Sequence, residues 1–218
     1  MLGFVEETTL LLLDDASGEF VDMPVSGFAT VIAGAALMDL AMRNRVDTDL
    51  EKLTVVDKTP TGDAILDDAL SLLSRDPEDA NGMRILEAID RIGLKAQDYA
   101  AEALKRLTAL GILKQESGRV LWVFRTRRYP MIDDREEREV KARLHQILTT
   151  DEIPDPRDVV LICLVAACKI MELILSPEEL EKAEPRIEQL RKMDLIGQAV
   201  AKAVNEIEFI FRYSTSAA

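Results

Sequence analysis

The stretch from Asp158 to Leu175, DVVLICLVAACKIMELIL, constrains this chain more than any other. Inside it only Lys169 and Glu172 are charged, and both fall in the last two turns of the helix that it predicts. Asp155 can cap that helix, Pro156 suits its first position, and Asp158 favours the positive end of its dipole. Ser176-Pro177-Glu178-Glu179 reads as the cap of the next helix. A helix that is apolar nearly all round must be buried on nearly all sides. Its 18 residues would just span a bilayer, but two charges near one end are costly in lipid. The reading is a central core helix in a mostly α protein.

The composition supports this. Hydrophobic residues make up 48% of the 218 but aromatic ones only 5%, so the core is aliphatic and suited to helices. Forty acids against 27 bases give a net charge of −13. That argues against a general nucleic-acid binder, whose affinity comes mostly from neutralising phosphates. Cys163 and Cys168 lie five apart on the central helix, about 140° apart around its axis, and so neither pair nor share a metal. Buried thiols in a reducing cytoplasm is the expectation. The N-terminus has no charged start, apolar run and cleavage site in series, so no signal peptide is expected.

Along the chain, FVEETTLLLL (residues 4–13) is a buried strand or a helix turn; periodicity does not decide. Asp14, Asp15, Ser17 and Gly18 form a turn. Val25 to Met42 predicts a second interior helix, rich in small residues that permit close packing, with Asp39 disfavouring a membrane span and Arg43 and Arg45 in the last turn. LTVVD is β-compatible. In TPTGD, Asp63 or Thr61 can cap the helix AILDDALSLL. RILEAIDRIG and Gln97 to Leu110 are amphipathic helices.

From residue 112 to about 126 the pattern changes to a β-hairpin, with Glu116-Ser117-Gly118 as its turn. A charged helix, Met131 to Leu148, precedes the central one. A helix from Pro177 to Lys192, broken at Pro185, and a last one from Asp194 to Phe211 follow it. No repeat or linker interrupts this, so residues 1–218 are expected to form a single domain.

Catalytic chemistry finds little support. His145, the lone histidine, has no Ser or Cys nucleophile near it. Adjacent acid pairs on helices face different ways. No metal-ligand spacing occurs, TPTGD lacks a phosphate loop's glycines and lysine, and no cofactor is implied. The chain is not read as an enzyme.

The hairpin carries the better lead. Val120, Trp122 and Phe124 fall on one side, and Arg119, Arg125, Arg127 and Arg128 flank it. Such a projection can dip its apolar residues into a bilayer interface while the arginines hold anionic headgroups, with Lys105 and Arg106 on the preceding helix as secondary contacts. Two other readings stay open. The order helix, Gly-Ile-Leu, hairpin also resembles a winged-helix module, although Asp98 and Glu102 offset the bases of the helix before the hairpin. Alternatively, the hairpin packs between subunits of a structural oligomer.

Several motifs carry a wider resemblance. Glu6 and Glu7 precede a Leu-rich run and a D-x-x-G turn, Asp15 to Gly18. Gly34, Leu37, Leu40, Ala41, Arg43 and Arg45 form a second motif. Pro60, Thr61, Gly62 and Asp63, with Leu66, Asp67, Ala69 and Leu70, form a third. LTALGIL and its hairpin form a fourth. In this order they resemble the Golgi phosphoprotein 3 family (the GPP34-like domain) over almost the whole chain.

The resemblance implies a helical domain with a buried bundle and a protruding hairpin. Its eukaryotic members are non-catalytic peripheral membrane adaptors. They bind phosphatidylinositol 4-phosphate, retain client proteins by their cytosolic tails, and use the hairpin for self-association and membrane contact. The implied location is cytoplasmic, at the cytosolic face of a membrane. The departures match a prokaryotic-type member. No Trp or Arg stands between Gly18 and Gly34, Ala33 precedes the second motif, and Ala100 and Glu102 occupy positions where the family's lipid pocket has arginines. The fold therefore carries over more fully than phosphoinositide specificity.

Overall fold

A computed structural model describes residues 2–14, 17–23, 25–49, 52–75, 82–120, 124–167 and 171–192; at 117–120, 124–127, 167 and 173 it describes the backbone alone. Among these residues, helices dominate: α1 (Phe4–Leu11), α2 (Val25–Met42), α3 (Ala64–Leu73), α4 (Ile85–Gly93), α5 (Ala96–Ala109), α6 (Arg135–Thr149), α7 (Pro156–Ala167) and α8 (Pro177–Arg191). Strands β1 (Val46–Thr48), β2 (Lys52–Val55) and β3 (Met83–Arg84) form a small antiparallel sheet, and β4 (Glu116–Val120) pairs with β5 (Phe124–Arg128). The expected mostly α architecture with a hairpin is the one found.

The interior is built around α2. Val31, Ile32, Ala33, Ala35, Ala36, Leu37 and Leu40 are all fully buried. Its small residues let α1, α3, α4, α5 and α7 pack against it. By length and composition α2 could cross a membrane, but here the protein's own helices cover it. Its end is a tight C-cap. Asn44 takes the left-handed conformation, φ 55°, and the N–H groups of Asn44 and Arg45 donate to the carbonyls of Ala41 and Leu40. Arg43 and Arg45 therefore lie beyond the helix, not in its last turn.

Local cap chemistry appears where the sequence placed it. The Asp155 carboxylate accepts from the Arg157 N–H at 2.9 Å and starts α7. Ser176 and Glu179 form a reciprocal capping box on α8. Asp63 accepts from the Ile65 and Leu66 N–H groups and starts α3.

One open alternative is decided and several expectations are corrected. Of the strand and the helix left open for the first apolar run, residues 4–11 take the helix, because α1 is covered on every side and its N-terminus is capped from another helix. Phe4 N–H donates to the Asp39 carboxylate at 2.7 Å. The central helix is described as α helix over Pro156–Ala167, and Met171–Leu173 is a 3-10 turn, so it does not run as α helix to Leu175. Helix α8 passes through Pro185 without breaking: half-buried or exposed on one side, it buries Ala183, Ile187 and Leu190 on the other, and that packing outweighs the lost N–H. The hairpin spans 116–128, not 112–126, and Glu116 to Gly118 belong to its first strand. Trp122, Cys168 and the expected Asp194–Phe211 helix lie outside the described residues.

Candidate functional site

The first helix carries the acidic pair, and both acids are buried: Glu6 is 7% and Glu7 5% exposed. Each is matched by an arginine from far along the chain. The Arg157 guanidinium donates to Glu7 at 2.7 Å and to the Leu2 carbonyl at 2.7 Å, and lies over the Phe4 ring at 4.2 Å. Arg143 bonds Asp158 at 2.6 Å and approaches Glu7 at 3.8 Å. Burial raises the pKa of Glu7 despite Arg157 and Arg143, and raises that of Asp39 despite its bond from Phe4. A Cβ at Gly3, at the start of α1, would stand 2.5 Å from the Glu6 carboxylate and 2.9 Å from that of Asp39, so a side chain there would have to displace them.

Arg106 belongs to this network. Its guanidinium forks onto Asp63 at 2.8 and 3.1 Å and reaches Glu6 at 2.9 Å. Burial pushes the Asp63 pKa upward. The bonds and charge of Arg106, with the Leu66 and Ile65 N–H groups, more than reverse this and hold it below the ordinary value. Asp63 thus caps α3 and ties the P-T-G-D turn to α5 and to the acidic pair on α1. Arg106 joins three motifs internally.

The other predicted cations sit at or near the hairpin. Lys105 is 76% exposed and pairs with Glu102 at 3.1 Å. Arg128 is nearly half exposed and pairs with Glu19 at 3.0 Å. The strand register opposes Ser117 to Arg127 and Arg119 to Arg125. Directly opposed residues share a face and faces alternate along a strand. Arg119, Arg125 and Arg127 therefore share one face, and Val120, Phe124 and Arg128 the other. Trp122, between Val120 and Phe124 in the sequence, is outside the described residues.

The hairpin's root is fixed at two places. The Tyr129 N–H donates to the Gly18 carbonyl at 2.8 Å, and the Lys114 N–H to the Pro130 carbonyl at 3.0 Å. Tyr129 and Met131 also pack on an apolar cluster of Leu10, Leu13, Leu104, Leu107, Ile112 and Leu113. A cleft of about 330 Å³ beside the root is lined by Asp98, Ala101, Glu102, Lys105, Gln115 and Tyr129. Of the two positions where the resemblance implies arginines, Ala100 is buried and Glu102 points its carboxylate at Lys105 and Arg106. Helix α5 thus turns Arg106 inward and pairs Lys105, which leaves it poorly equipped as a recognition helix for nucleic acid.

His145 lies 3.1 Å from Glu179, whose pKa is down to about 2 through the Ser176 N–H and hydroxyl and His145 itself. That arrangement serves the α8 cap. Among the described residues, no group of His, Cys, Asp and Glu could hold a metal ion.

The class these features define is a helical protein with a basic hairpin rooted on its first helix and turn. The Golgi phosphoprotein 3 (GPP34) family model matches residues 4–207, and the chain belongs to that family. It is also similar to vacuolar protein sorting-associated protein 74 of Eremothecium gossypii, 24% identical over a 214-residue alignment. That alignment takes in 84% of this chain and 64% of the relative.

Proposed function

We propose that this chain is a non-catalytic peripheral membrane adaptor that works at the cytosolic face of a membrane and holds anionic lipid headgroups with its hairpin. The observation that carries the reading is the register that gathers Arg119, Arg125 and Arg127 on one face. Like charges opposed across a strand pair repel each other, and an anionic surface would relieve that repulsion. Trp122, between the two strands, is the residue assigned to insertion. Family membership supports a Golgi phosphoprotein 3-like role.

Phosphatidylinositol 4-phosphate is the lipid that the family suggests. Buried Ala100 and the engaged Glu102 carboxylate favour a general anionic surface over a dedicated phosphoinositide pocket. Lys105 remains a secondary contact, and Arg106 would reach lipid only by leaving Asp63 and Glu6. Protein client tails and self-association through the hairpin complete the proposal.

The test is co-sedimentation with neutral, phosphatidylserine-containing and phosphatidylinositol 4-phosphate-containing liposomes at low and physiological salt. Each surface-proximal base contributes about 1 kcal/mol on an anionic membrane. Removing Arg119, Arg125 and Arg127 together should cost about a hundredfold in binding. Equal binding to neutral liposomes sinks the lipid reading, and preference for the phosphoinositide replaces the surface with a pocket.

A further inference from the structure

We propose that the turn carrying Gly18 and Glu19 is the seat that orients the hairpin, and that Arg128 is a positioning residue and not a headgroup contact. The seat is itself stiff. Asp14 N–H donates to the Glu19 carbonyl at 2.8 Å, Gly18 N–H to the Asp14 carbonyl at 2.8 Å, and Ser17 N–H to the Asp14 carboxylate at 2.7 Å. Gly18 stands at φ 65°, and a Cβ there would lie 2.7 Å from the Pro130 nitrogen and 2.8 Å from the Tyr129 carbonyl carbon. The backbone of the turn thus lies directly against the chain leaving β5.

Two adjacent bonds join these segments. The Gly18 carbonyl takes the Tyr129 N–H, and the residue after Gly18 and the one before Tyr129 supply the Glu19–Arg128 ion pair. The Gly18–Tyr129 bond taken alone would leave a rotation about itself, which the Lys114–Pro130 bond limits only from the side of the other strand. The ion pair beside it opposes that rotation. The register separates Arg128 from Arg119, Arg125 and Arg127, because it falls on the other face of the hairpin. A headgroup held by those three would find Arg128 on the far side, already engaged.

This rests on the lipid reading above, and the experiment separates the two. In the full chain, Glu19→Ala, Arg128→Ala and the exchange Glu19→Arg with Arg128→Glu are compared, with Arg127→Ala as a headgroup-face control. Binding to vesicles of phosphatidylcholine and phosphatidylserine is followed by co-sedimentation and by emission of Trp122, the one tryptophan in the chain. Amide hydrogen exchange at Tyr129 is followed without lipid. Each single change at 19 or 128 should weaken binding severalfold and speed exchange at Tyr129. The exchanged pair should recover most of both, although residue 128 is then acidic. Arg127→Ala should weaken binding and leave Tyr129 exchange alone.

If the exchanged pair binds as poorly as Arg128→Ala, or if Tyr129 exchange does not respond to either single change, the seat is overturned. If the wild-type chain binds no anionic vesicle while Tyr129 exchange behaves as stated, the lipid reading falls and the seat stands.

Discussion

Around α1, Arg157 and Arg106 are largely withdrawn from water and each holds two or more partners. At the hairpin root, Lys105, Lys114 and Arg128 remain about half exposed or more, each with one described ion-pair partner, Glu102, Glu116 and Glu19 respectively. Both sets are basic side chains facing carboxylates, and the physics differs. A buried charge without its partner is severely penalised, so the first set specifies how helices meet. An exposed pair is weak and exchangeable, so the second set can orient a projection or meet a ligand without endangering the fold.

The sharpest way to break this contrast is Arg157→Ala. It leaves Glu7 in the interior with only Arg143, 3.8 Å away, and should cost about 3 kcal/mol in a urea titration. The double change Glu7→Gln with Arg157→Met should recover much of that, and a small loss in the single variant would mean the network is not buried in effect. Next comes Gly18→Ala, which forces a side chain into the left-handed region and against Pro130. About 2 kcal/mol is expected in the same titration, together with faster exchange at Tyr129. Arg106→Lys keeps the charge but loses the fork onto Asp63. Stability should fall by about 1–2 kcal/mol, with anionic-vesicle binding unchanged; a parallel loss of binding would move Arg106 to the lipid face.

Acid titration sharpens the comparison from another side. The pKa values of Glu7 and Asp39 are raised, chiefly by burial, so the folded chain holds those protons more tightly than the unfolded one. Their contribution is complete below the ordinary 4.5 and 3.8 and is lost as pH rises through the raised values. Asp63 is lowered, so its contribution is complete above 3.8 and is lost as pH falls below that. Thermal unfolding from about pH 3 to about pH 6 should show the wild type's margin over Asp39→Asn shrinking and its margin over Asp63→Asn growing. Slopes of one sign would erase the distinction. The smallest effect is expected for Lys105→Gln, within about 0.5 kcal/mol of wild type by urea titration.

What could be read from the residues in order was what depends on near neighbours. Asp63, Asp155 and Ser176 cap helices through partners two or three positions away, and the helix boundaries they set came out within a residue or two. What depends on distant partners was not legible. Residues 4–11 have no decisive period, and they are helical because Asp39 caps them and Arg157 and Arg106 balance their acids. Arg106 read as a surface base because its partners, Glu6 and Asp63, are 100 and 43 residues away. Glu116-Ser117-Gly118 carries turn residues, yet pairing of Gly118 with Thr126 keeps it in the strand. The arginines of the hairpin were visible, but which of them share a face depended on the register.

The carboxylate of Asp39 has a consequence for how the chain is made. On leaving the ribosome, Val25 to Met42 has the length and hydropathy of a segment that a translocon would accept. A carboxylate near its end opposes that partition. Phe4 has already emerged by then, so the N–H that Asp39 receives in the finished protein precedes it. A single side chain thus opposes insertion of a nascent helix and, in the folded chain, starts the helix that packs against it.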